Sequence, residues 1–203
     1  MTDRCLTIAA ACQALLAGHR DSASKVLGAG YPFVPAAPVE RRYGPLDCTR
    51  VFIRDGFIDR YTGLRLIFPP VLRLISDALP TDFPYHLNWK TDVTHPAYYE
   101  VAATVDHLVP VSHGGTNDQS NLVTTSMARN SAKMNWSIDE LGWKLHPPGC
   151  LDDWDGLLGW FSMYLTANPE MLENRKWLRP WRQAAGALLT DRHQGHAKSD
   201  SND

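Results

Sequence analysis

The pattern of hydrophobic and polar positions in the middle of the chain predicts two short strands followed by a helix. A β-rich run over 104–109 and an apolar run over 121–125 are separated by a polar loop. That loop bends at Gly114-Gly115, a pair that favours chain reversal. Helix-forming residues follow over 127–133, with Ser126 placed to cap them. We therefore expect a hairpin that packs against one helix.

Hydrophobic periodicity predicts further helices on both sides of this hairpin. The expected helices are 3–17, 21–27, 70–79, 151–166 and 178–189, and a short one that opens at the capping box Ser137–Glu140. Four prolines make 31–45 an expected extended connector, whereas 49–69 is predicted as strand, turn and strand. The segment 82–100 is rich in aromatic and histidine residues and has no clear periodicity.

These elements predict an α+β fold in which a ββα hairpin-helix core is embedded in a mainly helical single domain. We expect that domain to cover 1–190. Its helical N-terminal part is 1–30, its core covers about 49–135, and its helical C-terminal part is 136–190. Residues 191–203 form a polar tail.

Three polar residues in the predicted core are suited to phosphodiester chemistry. The first strand carries Asp106 and His107, and the following helix carries Asn130. Mg²⁺ prefers hard oxygen ligands and keeps several waters, so one carboxylate and one amide oxygen are an adequate protein contribution. A neutral imidazole beside the metal can accept a proton from the attacking water. A chance Asp-His dipeptide is the alternative explanation.

Four short motifs along this stretch occur in a register that resembles a known family. They are Asp106-His107-Leu108-Val109-Pro110, Gly114-Gly115, Asn121-Leu122 and Asn130-Ser131-Ala132-Lys133. The HNH nucleases carry such motifs on a ββα-metal hairpin and helix. The firm resemblance covers about a sixth of the chain.

The resemblance implies roles for four of these residues. His107 would be the general base, and Asp106 and Asn130 would bind Mg²⁺ or Mn²⁺. The resemblance also implies a structural role for Asn121, whose amide would tie down the backbone of the loop, and Asn121 is counted with His107 among the catalytic-site residues. Three further residues are additional active-site candidates: His95, because the aromatic segment 82–100 is expected to pack over or beside the site, His113 in the Gly-Gly loop, and Lys133 in the last motif.

A second stretch, 54–63, is similar to the Arg-Asp-Gly-x-x-Cys-x-x-Cys-Gly that precedes the hairpin in this family. The places of the four zinc-binding cysteines are taken by Asp59, Thr62, Ser126 and Arg129. These side chains cannot build a tetrahedral sulfur site, so we expect no structural zinc. Asp59 is predicted to pair with Arg129, and Thr62 with Ser126. The alternative is that all four are ordinary surface positions.

Composition narrows the class of protein. The 203 residues are 44% hydrophobic and 21% charged, with a formal net charge of −2. No apolar run approaches the roughly 18–20 residues that span a bilayer, so we expect no membrane partner. The four cysteines form no Cys-x-x-Cys, and Cys5 and Cys12 fall on one face of a predicted helix. Buried thiols there would fit a reduced, cytoplasmic protein.

The leading hypothesis is a Mg²⁺-dependent HNH endonuclease that hydrolyses DNA, most readily double-stranded DNA. The resemblance implies 5′-phosphate and 3′-hydroxyl ends and, more weakly, a role in restriction or phage defence. A non-cleaving nucleic-acid-binding module and an RNA-cutting toxin are the alternatives. One active site cuts one strand, so a homodimer is also left open.

Overall fold

The computed structural model describes residues 3–33, 35 and 43–199. The chain forms two compact units, Met1–Ala37 and Pro38–Asp203. The single-domain organisation over 1–190 stays a prediction. Most of the expected connector 31–45 lies outside the described residues.

The described residues form ten α-helices and two β-strands. In chain order they are α1 (Arg4–Leu16), α2 (Arg20–Gly30), α3 (Pro45–Arg54), α4 (Pro69–Ala78), α5 (Ala97–Glu100), β1 (Ala103–His107), β2 (Leu122–Ser126), α6 (Met127–Lys133), α7 (Ile138–Leu141), α8 (Leu158–Ala167), α9 (Glu170–Asn174) and α10 (Leu178–Ser199). This mixture of helices with one small antiparallel sheet confirms the predicted α+β class with a ββα core. No helix within 3–33 or 43–199 is long and apolar enough to cross a membrane.

The hairpin and its helix form as predicted. Strands β1 and β2 pair antiparallel, with Asp106 opposite Val123 and His107 opposite Leu122. Ser126 caps α6, and its hydroxyl oxygen accepts a hydrogen bond from the backbone N–H of Arg129. The capping box at Ser137 and Glu140 is also present.

The core of the second unit is built around the ring of Phe68. The rings of Phe57, Phe161 and Trp181 contact it nearly edge-on, with centroids 6.1, 5.1 and 5.4 Å away. Such edge-to-face pairs are favourable because ring edges and faces carry opposite partial charges. Helices α8 and α10 are thereby packed against the segment that follows α3.

The first part of the predicted strand-turn-strand at 49–69 is wrong, because Thr49 to Arg54 belong to helix α3. Pro45 begins this helix at a position where proline is favoured. Val51 and Phe52 are buried on its core-facing side. Packing of this face overrides the strand preference of β-branched and aromatic residues. The remainder up to Phe68 is a loop with two isolated bridges, one between Ile58 and Arg65 and one between Ile67 and Ala102.

Two other expectations are only partly met. The helix predicted over 151–166 begins at Leu158, because the chain turns first at Gly156, which has a positive φ of 65°. The C-terminal helix begins at Leu178 as predicted but continues to Ser199.

In the first unit, Cys5 and Cys12 are exposed, so the expectation of buried thiols there is wrong.

Two buried aspartates cover the edge of β2 that faces away from β1. The Oδ2 atom of Asp55 accepts from the N–H of Thr124 at 2.7 Å, and that of Asp59 accepts from the N–H of Ser126 at 3.2 Å. Successive N–H groups of a strand point to opposite edges, so these two donors share one edge. Because a two-stranded sheet alone is marginal, these carboxylates help to fix the hairpin.

Arg54 and Arg60 strengthen this attachment. The Nη1 of Arg60 lies 2.9 Å from Asp55 Oδ1, and Arg54 also pairs with Asp55. The guanidinium of Arg54 further donates to the carbonyl oxygens of Gln119 and Leu122. Arg54, Asp55 and Arg60 thus together hold the second strand of the hairpin.

Candidate active site

The loop between the two strands is closed by the side-chain amide of Asn121. Its Oδ1 accepts from the N–H of Val109 at 2.9 Å, and its Nδ2 donates to the carbonyl oxygens of Val109 and Thr116. The loop is also tight at Gly115, where an added Cβ would lie 1.8 Å from the carbonyl oxygen of Val109. This is the arrangement that the resemblance implies for Asn121, and a contribution to catalysis stays a prediction.

His107 ends strand β1, and its ring is held on one side by two polar side chains. Its Nε2 lies 2.5 Å from Tyr43 Oη and 3.0 Å from Asn117 Oδ1. The imidazole is only 5% exposed. A second strand residue, Asp106, precedes it and is 7% exposed.

The Asp106 carboxylate is anchored through one of its two oxygens. Oδ2 accepts from Tyr61 Oη at 2.8 Å and lies 3.1 Å from Lys133 Nζ. Burial, and after it the neighbouring carboxylate, raises the pKa of Tyr61 above its ordinary value, so the phenol stays protonated and keeps donating. Within the described part of the chain, Oδ1 accepts no hydrogen bond.

Lys133, the last residue of α6, is completely buried. Its ammonium group donates to the carbonyl oxygen of His107 at 2.7 Å, in addition to pairing with Asp106. Buried charges require such partners, because removal from water is costly. Lys133 therefore links the helix to the strand that carries both candidate residues.

Asp106, His107 and Asn130 line one cleft of about 390 Å³. The Nδ2 of Asn130 donates to the carbonyl oxygen of Val105 at 3.3 Å, while its Oδ1 makes no hydrogen bond with the residues that the structure describes. Asp106 and Asn130, which both line the cleft, thus each keep one side-chain oxygen that is not used in a described hydrogen bond. Such hard oxygen donors fit Mg²⁺ or Mn²⁺ with several waters retained.

Two other candidate histidines are placed elsewhere. His95 stacks on Phe83 with ring centroids 4.0 Å apart, and its Nδ1 accepts from the N–H of Ala97. His113 is an exposed residue in the loop between the strands. Neither is among the side chains that line the cleft. A role for them in the active site has no support from this placement.

The four positions of the expected zinc ligands do meet, but not through the predicted pairs. Asp59, Thr62, Ser126 and Arg129 all line one pocket of about 430 Å³. The Asp59 carboxylate, 2% exposed, bonds to backbone N–H groups and to the Thr125 hydroxyl, and no hydrogen bond or ion pair joins it to Arg129. The predicted contact between Asp59 and Arg129 is therefore wrong.

The predicted bond between Thr62 and Ser126 is wrong as well. The Thr62 hydroxyl accepts from the N–H of Leu64, and the Ser126 hydroxyl is used in capping α6. The alternative of four ordinary surface positions is also wrong, since Asp59 and Ser126 are buried. Residues 3–33 and 43–199 contain no group of three or more His, Cys, Asp or Glu that could hold a metal ion. The absence of structural zinc stays a prediction.

Three residues at this site were not predicted from the sequence: Tyr43, Asn117 and Tyr61. Asn117 lies in the loop that the motif spacing had marked, so its position was a usable signal. Nothing in the sequence connects the two tyrosines to the strand, because their contacts depend on the tertiary fold.

Comparison with known protein families gives one match, and it lies over the hairpin. Residues 90–126 match the HNH endonuclease family. The predicted family resemblance is confirmed over this stretch, which we call the HNH segment. No curated protein and no solved structure is significantly similar to the chain.

The HNH segment contains Asp106, His107 and Asn121 and ends before Asn130 and Lys133. At the level of the family, the match indicates nuclease activity and nucleic-acid binding.

Proposed function

We propose that this protein is an endonuclease that hydrolyses DNA phosphodiester bonds with the help of Mg²⁺ or Mn²⁺. The observation that carries the proposal is the convergence of Asp106, His107 and Asn130 on one cleft. The HNH segment supports the reaction class. The residues of the cleft supply the donors and the base that this reaction needs.

His107 is the general base of the proposed reaction. It accepts a proton from a water molecule that attacks the scissile phosphorus. The bond to the 3′ oxygen breaks, and that oxygen takes up a proton from solvent to give the 3′-hydroxyl end. An imidazole is suited to this step because its ordinary pKa of about 6.5 lies near neutral pH. Burial of the ring and its contact with Asn117 keep the imidazole in one orientation.

Asp106 and Asn130 would hold the divalent ion through Asp106 Oδ1 and Asn130 Oδ1. When bound, the ion supplies Lewis-acid polarisation of the phosphate and stabilises the charge on the leaving oxygen. Tyr61 and Lys133 donate to the other carboxylate oxygen and thereby fix the rotamer of Asp106. Fixed ligands matter because a misplaced donor shell weakens both metal binding and rate.

DNA is the preferred substrate in this proposal, and restriction or phage defence is the accompanying biological hypothesis. Affinity for a polyanion rests on Lys and Arg. Because the net charge of the chain is −2, binding to DNA phosphates would have to come from a local cluster of these residues. A non-cleaving binding module and an RNA-cutting toxin would share the hairpin but differ in the products they give.

A substrate panel tests this proposal. Supercoiled plasmid, single-stranded DNA and single-stranded RNA would each be incubated with the protein, with Mg²⁺, with Mn²⁺ and with EDTA. We expect nicked plasmid before linear plasmid, with 5′-phosphate and 3′-hydroxyl ends, and no product with EDTA. Cleavage of RNA alone would support a ribonuclease instead. Retarded but intact DNA under all conditions would support a binding module.

A further inference from the structure

Tyr43, His107 and Asn117 form a closed triangle of polar atoms beside the cleft. Tyr43 Oη lies 2.5 Å from His107 Nε2 and donates to Asn117 Oδ1 at 2.8 Å. The third side joins His107 Nε2 to Asn117 Oδ1 at 3.0 Å. All three separations are hydrogen-bond distances. Each pair of atoms therefore either shares a proton or places two acceptors in repulsive contact.

Counting protons selects one arrangement of this triangle. The phenol has one proton, and Asn117 Oδ1 can only accept. If Tyr43 donated to Nε2, that nitrogen would be unprotonated and would face Asn117 Oδ1 as two acceptors 3.0 Å apart. If Tyr43 donates to Asn117, Nε2–H can donate to both oxygens and no clash arises. Within the triangle, only the second arrangement leaves no acceptor facing another acceptor.

We infer that Asn117 and Tyr43 are positioning residues that hold neutral His107 as the Nε2–H tautomer and leave Nδ1 as its basic nitrogen. The catalytic meaning of this inference rests on the proposed function, in which His107 takes a proton from water. The hydrogen bond at one ring nitrogen decides which tautomer an imidazole adopts and which nitrogen remains available.

The two residues reach His107 from different parts of the chain. Asn117 follows Thr116, whose carbonyl oxygen is held by the Asn121 amide at 2.8 Å. The Asn121 amide, which closes the loop, therefore also places Asn117. Tyr43 precedes α3 and lies outside the HNH segment, and its ring centroid is 5.6 Å from that of His107. One of the two residues that hold His107 therefore comes from outside the HNH segment.

The tautomer can be read directly by nuclear magnetic resonance. Protein labelled with ¹⁵N at histidine would be studied at about pH 8, above the ordinary imidazole pKa of about 6.5. Two- and three-bond ¹H–¹⁵N correlations distinguish the tautomers, and loss of one set in His107→Gln assigns it. We expect the Nε2–H pattern in the wild type and a mixture of both tautomers in Asn117→Ala. An Nδ1–H pattern in the wild type would overturn the inference.

Kinetics test whether this tautomer matters. We expect Asn117→Ala to lower kcat by about 10–100-fold, as loss of partners that orient a histidine does in metal sites, with KM for plasmid little changed. Asn117→Asp keeps an acceptor oxygen and should restore most of kcat. Tyr43→Phe should lower kcat less than Asn117→Ala. Asn88→Ala and Tyr164→Phe are matched controls away from the cleft, and we expect wild-type rates.

The outcomes separate this inference from the proposed function. Faster cleavage by Asn117→Ala or Tyr43→Phe would overturn the inference, because the pair would then be blocking the catalytic nitrogen. A wild-type protein that cleaves no substrate but shows the Nε2–H pattern would contradict the proposed nuclease function and still support the tautomer assignment. Equal loss in Asn117→Ala and Asn117→Asp would also count against it, since the acceptor would then not matter.

Discussion

Lys133 Nζ lies 3.1 Å from Asp106 Oδ2 although the lysine side chain has no exposed surface. The same ammonium group donates to the carbonyl oxygen of His107. One buried cation therefore fixes the two consecutive residues of β1 that line the cleft. It also ties the end of α6 to that strand.

Replacing Lys133 with Met should strongly destabilise the protein. The change leaves the buried Asp106 carboxylate without its cationic partner. Removing one partner of a buried ion pair typically costs about 3–5 kcal/mol. The free energy of unfolding in urea is the measurement, and Lys144→Met at an exposed position is the control. A Lys133→Met protein as stable as the control would contradict this account of the ion pair.

Asp59 should be more important for stability than Arg129. Asp59→Ala leaves the N–H groups of Tyr61 and Ser126 and the Thr125 hydroxyl without their acceptor. A buried donor without a partner costs about 1–3 kcal/mol, so we expect a loss on the order of 3 kcal/mol in total. Arg129→Ala should change stability by less than about 0.5 kcal/mol, as is usual for surface substitutions. Denaturant unfolding of both variants tests this, and a larger loss in Arg129→Ala would be contrary to it.

Asn121→Ala should loosen the loop between the strands without removing a proposed metal ligand. Val109 loses both of its bonds to the amide, and Thr116 loses one. We expect a stability loss of about 1–2 kcal/mol and faster amide hydrogen exchange at Val109. Unchanged exchange at Val109 would show that the amide does not hold the loop.

Variants at the proposed metal ligands should alter the dependence of cleavage on Mg²⁺. Asn130→Ala is the cleaner of the two changes, because the Asn130 side chain makes only one described hydrogen bond. Asp106→Asn retains an oxygen for Tyr61 but removes the charge. We expect both to raise the Mg²⁺ concentration for half-maximal cleavage by about tenfold or more, since losing even an outer-shell partner costs that much.

Asn121→Ala is the matched control for this titration, because it changes an amide at the same hairpin. Its half-maximal Mg²⁺ concentration should stay close to that of the wild type. If Asn130→Ala and Asp106→Asn also kept the wild-type value, the metal would have to bind elsewhere.

The hairpin could be predicted from the sequence because its signals are local. Alternation, a Gly-Gly bend and a capping serine lie within one short stretch, and the predicted strands agree with Ala103–His107 and Leu122–Ser126 to within two residues. The same local logic failed at Thr49 to Arg54. There, burial of one helical face against α10 decides the structure, and that partner lies far along the chain.

Long-range polar contacts at the site could not be predicted. Tyr43 precedes His107 by 64 residues, and Tyr61 precedes Asp106 by 45. The mistaken pairing of Asp59 with Arg129 has a related cause. Charge complementarity alone favoured the arginine. In the structure the Asp59 carboxylate instead accepts from the N–H of Ser126 on the outer strand edge, because a buried N–H group needs an acceptor.

Plasmid cleavage by His107→Ala tests the central claim most directly. Initial rates would be measured in Mg²⁺ for the wild type, for His107→Ala and for His95→Ala, whose ring stacks on Phe83 outside the cleft. Loss of a general base typically lowers the rate by a factor of about 10² to 10⁴. We expect that loss for His107→Ala, with folding and DNA binding retained, and a rate near wild type for His95→Ala. Cleavage by His107→Ala at the wild-type rate would contradict the account.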